Sequence, residues 1–267
     1  MSNDTAARLV LDTHKDGVDT LTLNRPDSLN ALDSHLGRAL LESLHHAAAD
    51  AKVRAVVLTG AGRGFCSGGD LKVLKTAREG GNEGEIERLL QTGKQIILAI
   101  ASMPKPVLAA INGPAAGAGV SLALACGLRL ASDRATFAQS FVKIGLFPDF
   151  GGTYLLPRLV GPTQAARLFY TGDTITADEA AQSGLITRVV PHDSLAEEAA
   201  LLAQRLAAAP PVVVRGLKQV VFGANRAALE HALDEEIRWQ MVCFRSDDSR
   251  EGLQAFFEKR APRFRGV

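Results

Sequence analysis

A short apolar run that ends in glycines and leads into a helical pattern occurs twice in this chain, and that recurrence most limits the fold. Residues 53–59 read as a β-branched buried strand running into Gly60, Gly62 and Gly64. Residues 106–111 read as a second such strand, followed by Gly113, Gly117 and Gly119 and then by an apolar helix over residues 120–130. A third, weaker pass covers residues 128–137 and ends in Gly151 and Gly152. Parallel strands need crossover connections, usually helical, and such sheets place functional loops at the carboxyl ends of their strands. The glycine clusters are therefore where chemistry is to be sought.

Other elements follow from local signals. Leu9-Val10-Leu11 and Leu21-Thr22-Leu23 straddle a turn through Asp16-Gly17 and predict a β-hairpin. Asp33 is a candidate N-cap for a helix carrying Leu36, Leu40, Leu41 and Leu44. From about Thr163 the pattern turns helical, with a capping box at Thr176 and Glu179, an alanine- and leucine-rich helix over residues 194–208, a break at Pro210-Pro211, and further helices over residues 212–259. The loop expected over residues 73–86, rich in glycine and glutamate from Glu79 to Glu85, is expected to be mobile. No long linker divides the chain, so the helical part is expected to pack on the αβ core or on a neighbour.

Composition removes several function classes. At 267 residues the chain can bury a sizeable core without staples. Its formal net charge of +1 supplies no global field toward nucleic acid or an anionic membrane, so any phosphate must be met locally. Cys66, Cys126 and Cys243 are odd in number and form no CxxC pair, which argues against a disulfide framework and a zinc site and for a reducing compartment. Residues 1–8 are polar and no long apolar segment follows, so neither a signal peptide nor a membrane span is expected and the cytoplasm is the expected location. His45, His46 and His231 lack metal-ligand spacing and read as surface or interface residues, so no metal is expected. Ser67 lies in Cys-Ser-Gly-Gly and not in a nucleophile elbow.

The glycine clusters fit no phosphate cradle. The first begins like a dinucleotide fingerprint but has Phe65 in the third glycine's place, and the second lacks the Lys-Ser/Thr pair of a P-loop. A glycine turn between a strand and a helix can instead present a bare N–H at the positive end of the helix dipole, and two such turns can aim two donors at one oxygen. The glycines could equally serve only to let the turns close, and spacing alone leaves both readings open.

Four separated motifs, in order, carry a resemblance over nearly the whole chain: Thr22-Leu23-Asn24-Arg25-Pro26, then Leu29-Asn30-Ala31-Leu32, then Phe65-Cys66-Ser67-Gly68-Gly69-Asp70-Leu71, then Ala110-Ile111-Asn112-Gly113. Together they resemble the crotonase, or enoyl-CoA hydratase/isomerase, superfamily, and Glu251 to Arg260 resembles its closing helix. The resemblance implies an α/β fold: a spiral of β-β-α turns over residues 1–195 and a C-terminal helical region, residues 196–267, that mediates trimers, often paired into hexamers. It implies an acyl-CoA thioester as partner, with coenzyme A entering as part of the substrate and no separate cofactor. Carried over by position, the oxyanion donors are the N–H groups of Gly69 and Ala118, the second of which is often glycine in the family. Coenzyme A would run along Asp27, Ser28 and Leu29, with Asp70, Leu71 and Lys72 lining the adenine and pantetheine path and Lys259, with Phe256, reaching a neighbouring subunit's nucleotide end. Arg25 and Lys259 would be local cations for phosphates; without the resemblance each reads as a solvated surface charge.

The departures bear most on activity. Typical hydratases of the family position water with two glutamates, and those places hold Ser121 and Phe141, neither of which exchanges a proton near neutral pH. A carboxylate does occur nearby, Asp149 between Phe147 and Phe150, and desolvation there would raise its pKa toward a useful value. It is the candidate acid/base, the alternative being an N-cap for the helix that follows. One carboxylate beside an oxyanion hole suits removal of a proton from one carbon and its return to another, which is isomerisation. The stretch from Phe141 to Arg158 also resembles the ring-1,2-epoxyphenylacetyl-CoA isomerases of phenylacetate degradation. Two other readings stand beside this one: a hydratase using Asp149 with an unassigned group, and a non-catalytic acyl-CoA binder.

Overall fold

The computed structural model describes residues 8–221 and 225–267. Residues 1–7, which fall in the polar N-terminal segment, and residues 222–224, inside the stretch expected to be helical, lie outside the described residues. The chain opens with the expected hairpin, β1 (Val10–Lys15) and β2 (Val18–Leu23), paired antiparallel. Its two-residue turn puts Asp16 and Gly17 both at positive φ, the geometry that matches strand twist. After a 3-10 turn at Pro26–Ser28, α1 (Ser34–Ala49) starts on Asp33, whose carboxylate accepts from the N–H groups of His35 and Leu36.

The chain then steps across one sheet. β3 (Ala55–Gly60), β4 (Val107–Ile111), β6 (Leu128–Ser132) and β9 (Arg188–Val190) add in parallel to β2, giving the order β1-β2-β3-β4-β6-β9. A smaller sheet holds β5 (Ala115–Ala116), β7 (Thr136–Ala138) and β8 (Thr174–Thr176). Both faces of the large sheet are covered, and period-two alternation divides the side chains. Val56, Leu58, Val107, Ala109 and Ile111 enter the main core with α1 and α3 (Glu83–Ser102). Ala55, Val57, Leu108 and Ala110 meet Leu195, Ala199, Ala203 and Ala207 on one side of α8 (Leu195–Ala208).

Two expectations are corrected. The helix expected over residues 120–130 is α4 (Ala118–Ala125); Cys126 is extended, and residues from Leu128 pair with β4 instead. The apolar run hid the boundary, because a buried strand and a buried helix look alike in hydrophobicity. Residues 73–86, expected to form a mobile loop, belong mostly to α2 (Leu71–Glu79) and the start of α3. Asp70 caps α2 through the Lys72 N–H, and Leu74, Ala77, Ile86, Leu89 and Leu90 fix both helices on the core.

The remaining helices are α5 (Gly152–Val160), α6 (Pro162–Thr171), α7 (Ala177–Gln182), α9 (Pro211–Val221), α10 (Arg226–Arg245) and α11 (Asp247–Glu258). The Thr176/Glu179 capping box forms at α7, and α8 ends before Pro210 as expected. Among the described residues no helix is long and apolar enough to cross a membrane.

Candidate active site

A cleft of about 610 Å³ opens at the carboxyl ends of the parallel strands. The turn after β3 and the turn after β4 meet on its wall. They are tied by the Ala116 N–H donating to the Cys66 carbonyl at 3.0 Å and by a parallel bridge between Cys66 and Ala115. Gly68 adopts φ +89°, and a Cβ there would stand 2.8 Å from the Ala116 oxygen and 3.3 Å from the Ala118 nitrogen. The turns thus approach more closely than any side chain at position 68 allows. Gly69, bridged to Leu32, and Ala118, the first residue of α4, both line the cleft. Among the described residues neither N–H has an acceptor. Two free donors on adjoining turns, one at a helix N-terminus, are equipped to receive one anionic oxygen.

Asp149 lines the same cleft and is 7% exposed. It does not cap α5: the residue before that helix is Gly151, left-handed and without a side-chain cap bond. The Gln240 Nε2 donates to Asp149 Oδ2 at 3.1 Å, whereas Oδ1 has no partner among the described residues. Burial pushes the carboxyl up to about 8, the Glu236 carboxylate adds to this, and the Gln240 amide opposes it. Phe150 follows at φ +56°, its ring packed on Gly93, where a Cβ would lie 2.3 Å from the ring. Phe147 is turned away to stack on Trp239, with centroids 6.2 Å apart.

The two places where hydratases of the family carry glutamates diverge. Phe141 lines the cleft, its ring against the backbone of Gly117. Ser121 is fully buried, its hydroxyl 3.5 Å from the Gly117 carbonyl. Burial pushes the Cys66 thiol up to about 12, so it is no thiolate nucleophile near neutral pH.

The cleft is also lined by Arg25, Asp27, Ser28, Leu29, Asp70, Leu71, Lys72 and Phe256. Arg25 is less available to a phosphate than its sequence position suggests. Its guanidinium donates to the Ala31 carbonyl and to Asp70 at 3.0 Å and lies 3.2 Å from Asp33. Asn30, quoted only as part of a motif, is fully buried and its amide donates to the carbonyls of Ala61, Gly64 and Phe65, tying the 3-10 turn to the first glycine turn. Lys259 ends α11 at φ +55° and does not line this cleft. Phe256, expected to reach a neighbour with it, is among the residues lining the chain's own cleft and is 54% exposed.

Sequence reasoning missed Lys143, Glu236 and Gln240. Lys143 lines the cleft, and its place beside Phe141 was the one available signal. Glu236 and Gln240 lie on α10, 83 to 93 residues from their partners, and nothing local marks them.

The sheet with its two glycine turns and a buried acid in one cleft is the architecture of an enzyme site, and the comparisons show which family it belongs to. Residues 13–267 match the family described as enoyl-CoA hydratase/isomerase. The 1,2-epoxyphenylacetyl-CoA isomerase of Escherichia coli strain K12 is 40% identical over 94% of this chain and 95% of its own length. A probable enoyl-CoA hydratase of Rhodobacter capsulatus is 42% identical over the same shares. The crystal structure of an enoyl-CoA hydratase from Mycobacterium avium subsp. paratuberculosis superimposes with a TM-score of 0.87 at 36% identity, covering 96% of this chain and 98% of that one. The chain is therefore an enzyme of the enoyl-CoA hydratase/isomerase family, with the crotonase fold.

Proposed function

We propose that this enzyme isomerises an acyl-CoA thioester, moving a proton or double bond in an enoyl-CoA or a ring-epoxide acyl-CoA. The carrying observation is that, of the carboxylates lining the cleft, Asp149 is buried and keeps one oxygen without a partner among the described residues, while positions 121 and 141 hold serine and phenylalanine. Of the cleft's other carboxylates, Asp27 is exposed and Asp70 is held by Arg25 at 3.0 Å.

In the proposed step the Asp149 carboxylate removes a proton from a carbon of the acyl chain. The C–H electrons become the new C=C bond of an enolate, and the thioester oxygen takes the negative charge. The N–H groups of Gly69 and Ala118 receive that charge, where losing one donor typically costs roughly 2.7–4 kcal/mol of barrier stabilisation. The carboxylic acid then returns the proton to a different carbon, so the product has the mass of the substrate. Coenzyme A enters with the substrate, along Asp27, Ser28 and Leu29 and past Asp70, Leu71 and Lys72. The acyl group would pack on apolar lining residues such as Ile86, Leu89, Leu90 and Phe244. Assembly as a trimer or a pair of trimers would bring Lys259 of one chain toward the nucleotide end of another, and the cytoplasm remains the proposed location.

The test is to incubate the enzyme separately with a trans-2-enoyl-CoA and a 3-enoyl-CoA and analyse products by mass. A positional isomer of unchanged mass, absent with Asp149→Asn, is the expected result. A product heavier by one water sinks isomerisation in favour of hydration, and no turnover across a broad panel favours a binder.

A further inference from the structure

The face of α10 that turns inward is not uniformly apolar. Leu229, Leu233, Met241 and Phe244 share it with Glu236, 1% exposed, and Gln240, 4% exposed. These two stand one helical turn apart. A buried glutamate and a buried glutamine destabilise a core stripe unless their polar atoms are paired, and apolar residues of like size would pack as well. Here every pairing goes to one segment, the loop 147–153.

Glu236 receives the N–H of Gly151 at 2.7 Å and both the N–H and the hydroxyl of Thr153, at 2.8 and 2.6 Å. Gln240 receives the N–H of Phe147 at 2.9 Å on its Oε1. That bond fixes which way the amide points, since only the oxygen can accept, and so Nε2 is the atom facing Asp149 Oδ2. The loop is thus held before and after Asp149, and one oxygen of the carboxyl is occupied by a donor. The other, Oδ1, has no partner among the described residues and is therefore the oxygen left open to take a proton.

We infer that Glu236 and Gln240 are positioning residues, which clamp the loop and present Asp149 Oδ1 as its proton-exchanging oxygen. The inference rests on the acid/base reading of Asp149 and adds to it the device that orients and tunes that group. The two residues act in opposite senses. The Gln240 donor favours the ionised carboxyl, whereas the neighbouring Glu236 charge disfavours it. Glu236 is the titratable group that bears on Asp149 among the described residues; the charged groups elsewhere along the cleft are Arg25, Asp27, Asp70, Lys72 and Lys143.

The test reads the Asp149 carboxyl directly, by carbon-13 NMR titration of protein labelled at aspartate, with Asp149→Asn giving the assignment. Gln240→Met is expected to move the midpoint up and Glu236→Gln, which removes a carboxyl itself raised to about 7 by burial, to move it down by less. Gln240→Met is also expected to lower kcat about tenfold or more at little-changed KM, because orientation is lost and binding is not. Should methionine disturb the loop, Gln240→Glu keeps the oxygen that receives the Phe147 N–H, and an upward shift is again expected. Midpoints that stay in place, or that move in the same direction for both α10 residues, overturn the inference. If wild type fails to isomerise, or Asp149→Asn turns over normally, the catalytic reading fails, while the paired titration shifts still decide this one.

Discussion

Asp149 holds a proton that an exposed aspartate would have lost. Its carboxyl is raised from 3.8 to about 8, first by burial. Removing a substrate proton requires the ionised form, so kcat/KM for isomerisation is expected to climb with pH and level off above about 8. Stability runs the other way. A group whose folded pKa is raised contributes stability in full below its unfolded value and loses it as pH rises through the folded value. Asp149→Asn cannot ionise, so it is expected to match wild type near pH 4 and to exceed it at about pH 9 by on the order of 2–4 kcal/mol. Denaturant unfolding at the two pH values checks this, and an equal difference at both would mean that the aspartate is not held neutral.

The two donor turns depend on backbone contact that tolerates almost no added volume. Gly68→Ala would place a methyl 2.8 Å from the Ala116 oxygen on a backbone at φ +89°, forcing the turns apart and tilting both N–H groups off a common target. The expected loss is about 100-fold in kcat, comparable to removing one oxyanion donor, with a lower melting temperature; steady-state kinetics beside a thermal melt measures both. The sequence showed these turns because strand, glycine and helix lie within about ten residues, and it showed the hairpin and the caps at Asp33 and Thr176 for the same reason. It failed where the deciding contact was distant. Residues 73–86 look polar and glycine-bearing, and only packing against the core shows Leu74, Ile86 and Leu90 to be helical anchors. The end of α4 was hidden in a continuous apolar run until pairing with β4 claimed Leu128. Glu236 and Gln240 were invisible because nothing on α10 refers to a loop so far behind it in the chain.

At the scale of the molecule one helix is built inside out. α9 turns Val213, Leu217 and Val220 toward the outside, 55%, 60% and 73% exposed, with Val221 beside them at 60%. What anchors it to the fold is the Lys218 ammonium, donating to the carbonyls of Ile100 at 2.9 Å and Lys105 at 2.7 Å. Burial lowers that amine to about 8. An amphipathic surface helix ordinarily does the reverse, with apolar residues inward and lysine in water, and an apolar row left outside is the kind of surface that binds a protein, a membrane or a ligand. If the enzyme assembles as the proposed trimer, this row is the surface expected to be covered. Light scattering behind size-exclusion chromatography is expected to give a mass of three or six chains, and the double change Leu217→Glu with Val220→Glu to give smaller species while circular dichroism stays unchanged. If the double variant keeps the wild-type mass, α9 lies outside the interface; if wild type itself is a single chain of 28.3 kDa, the trimer proposal fails with it.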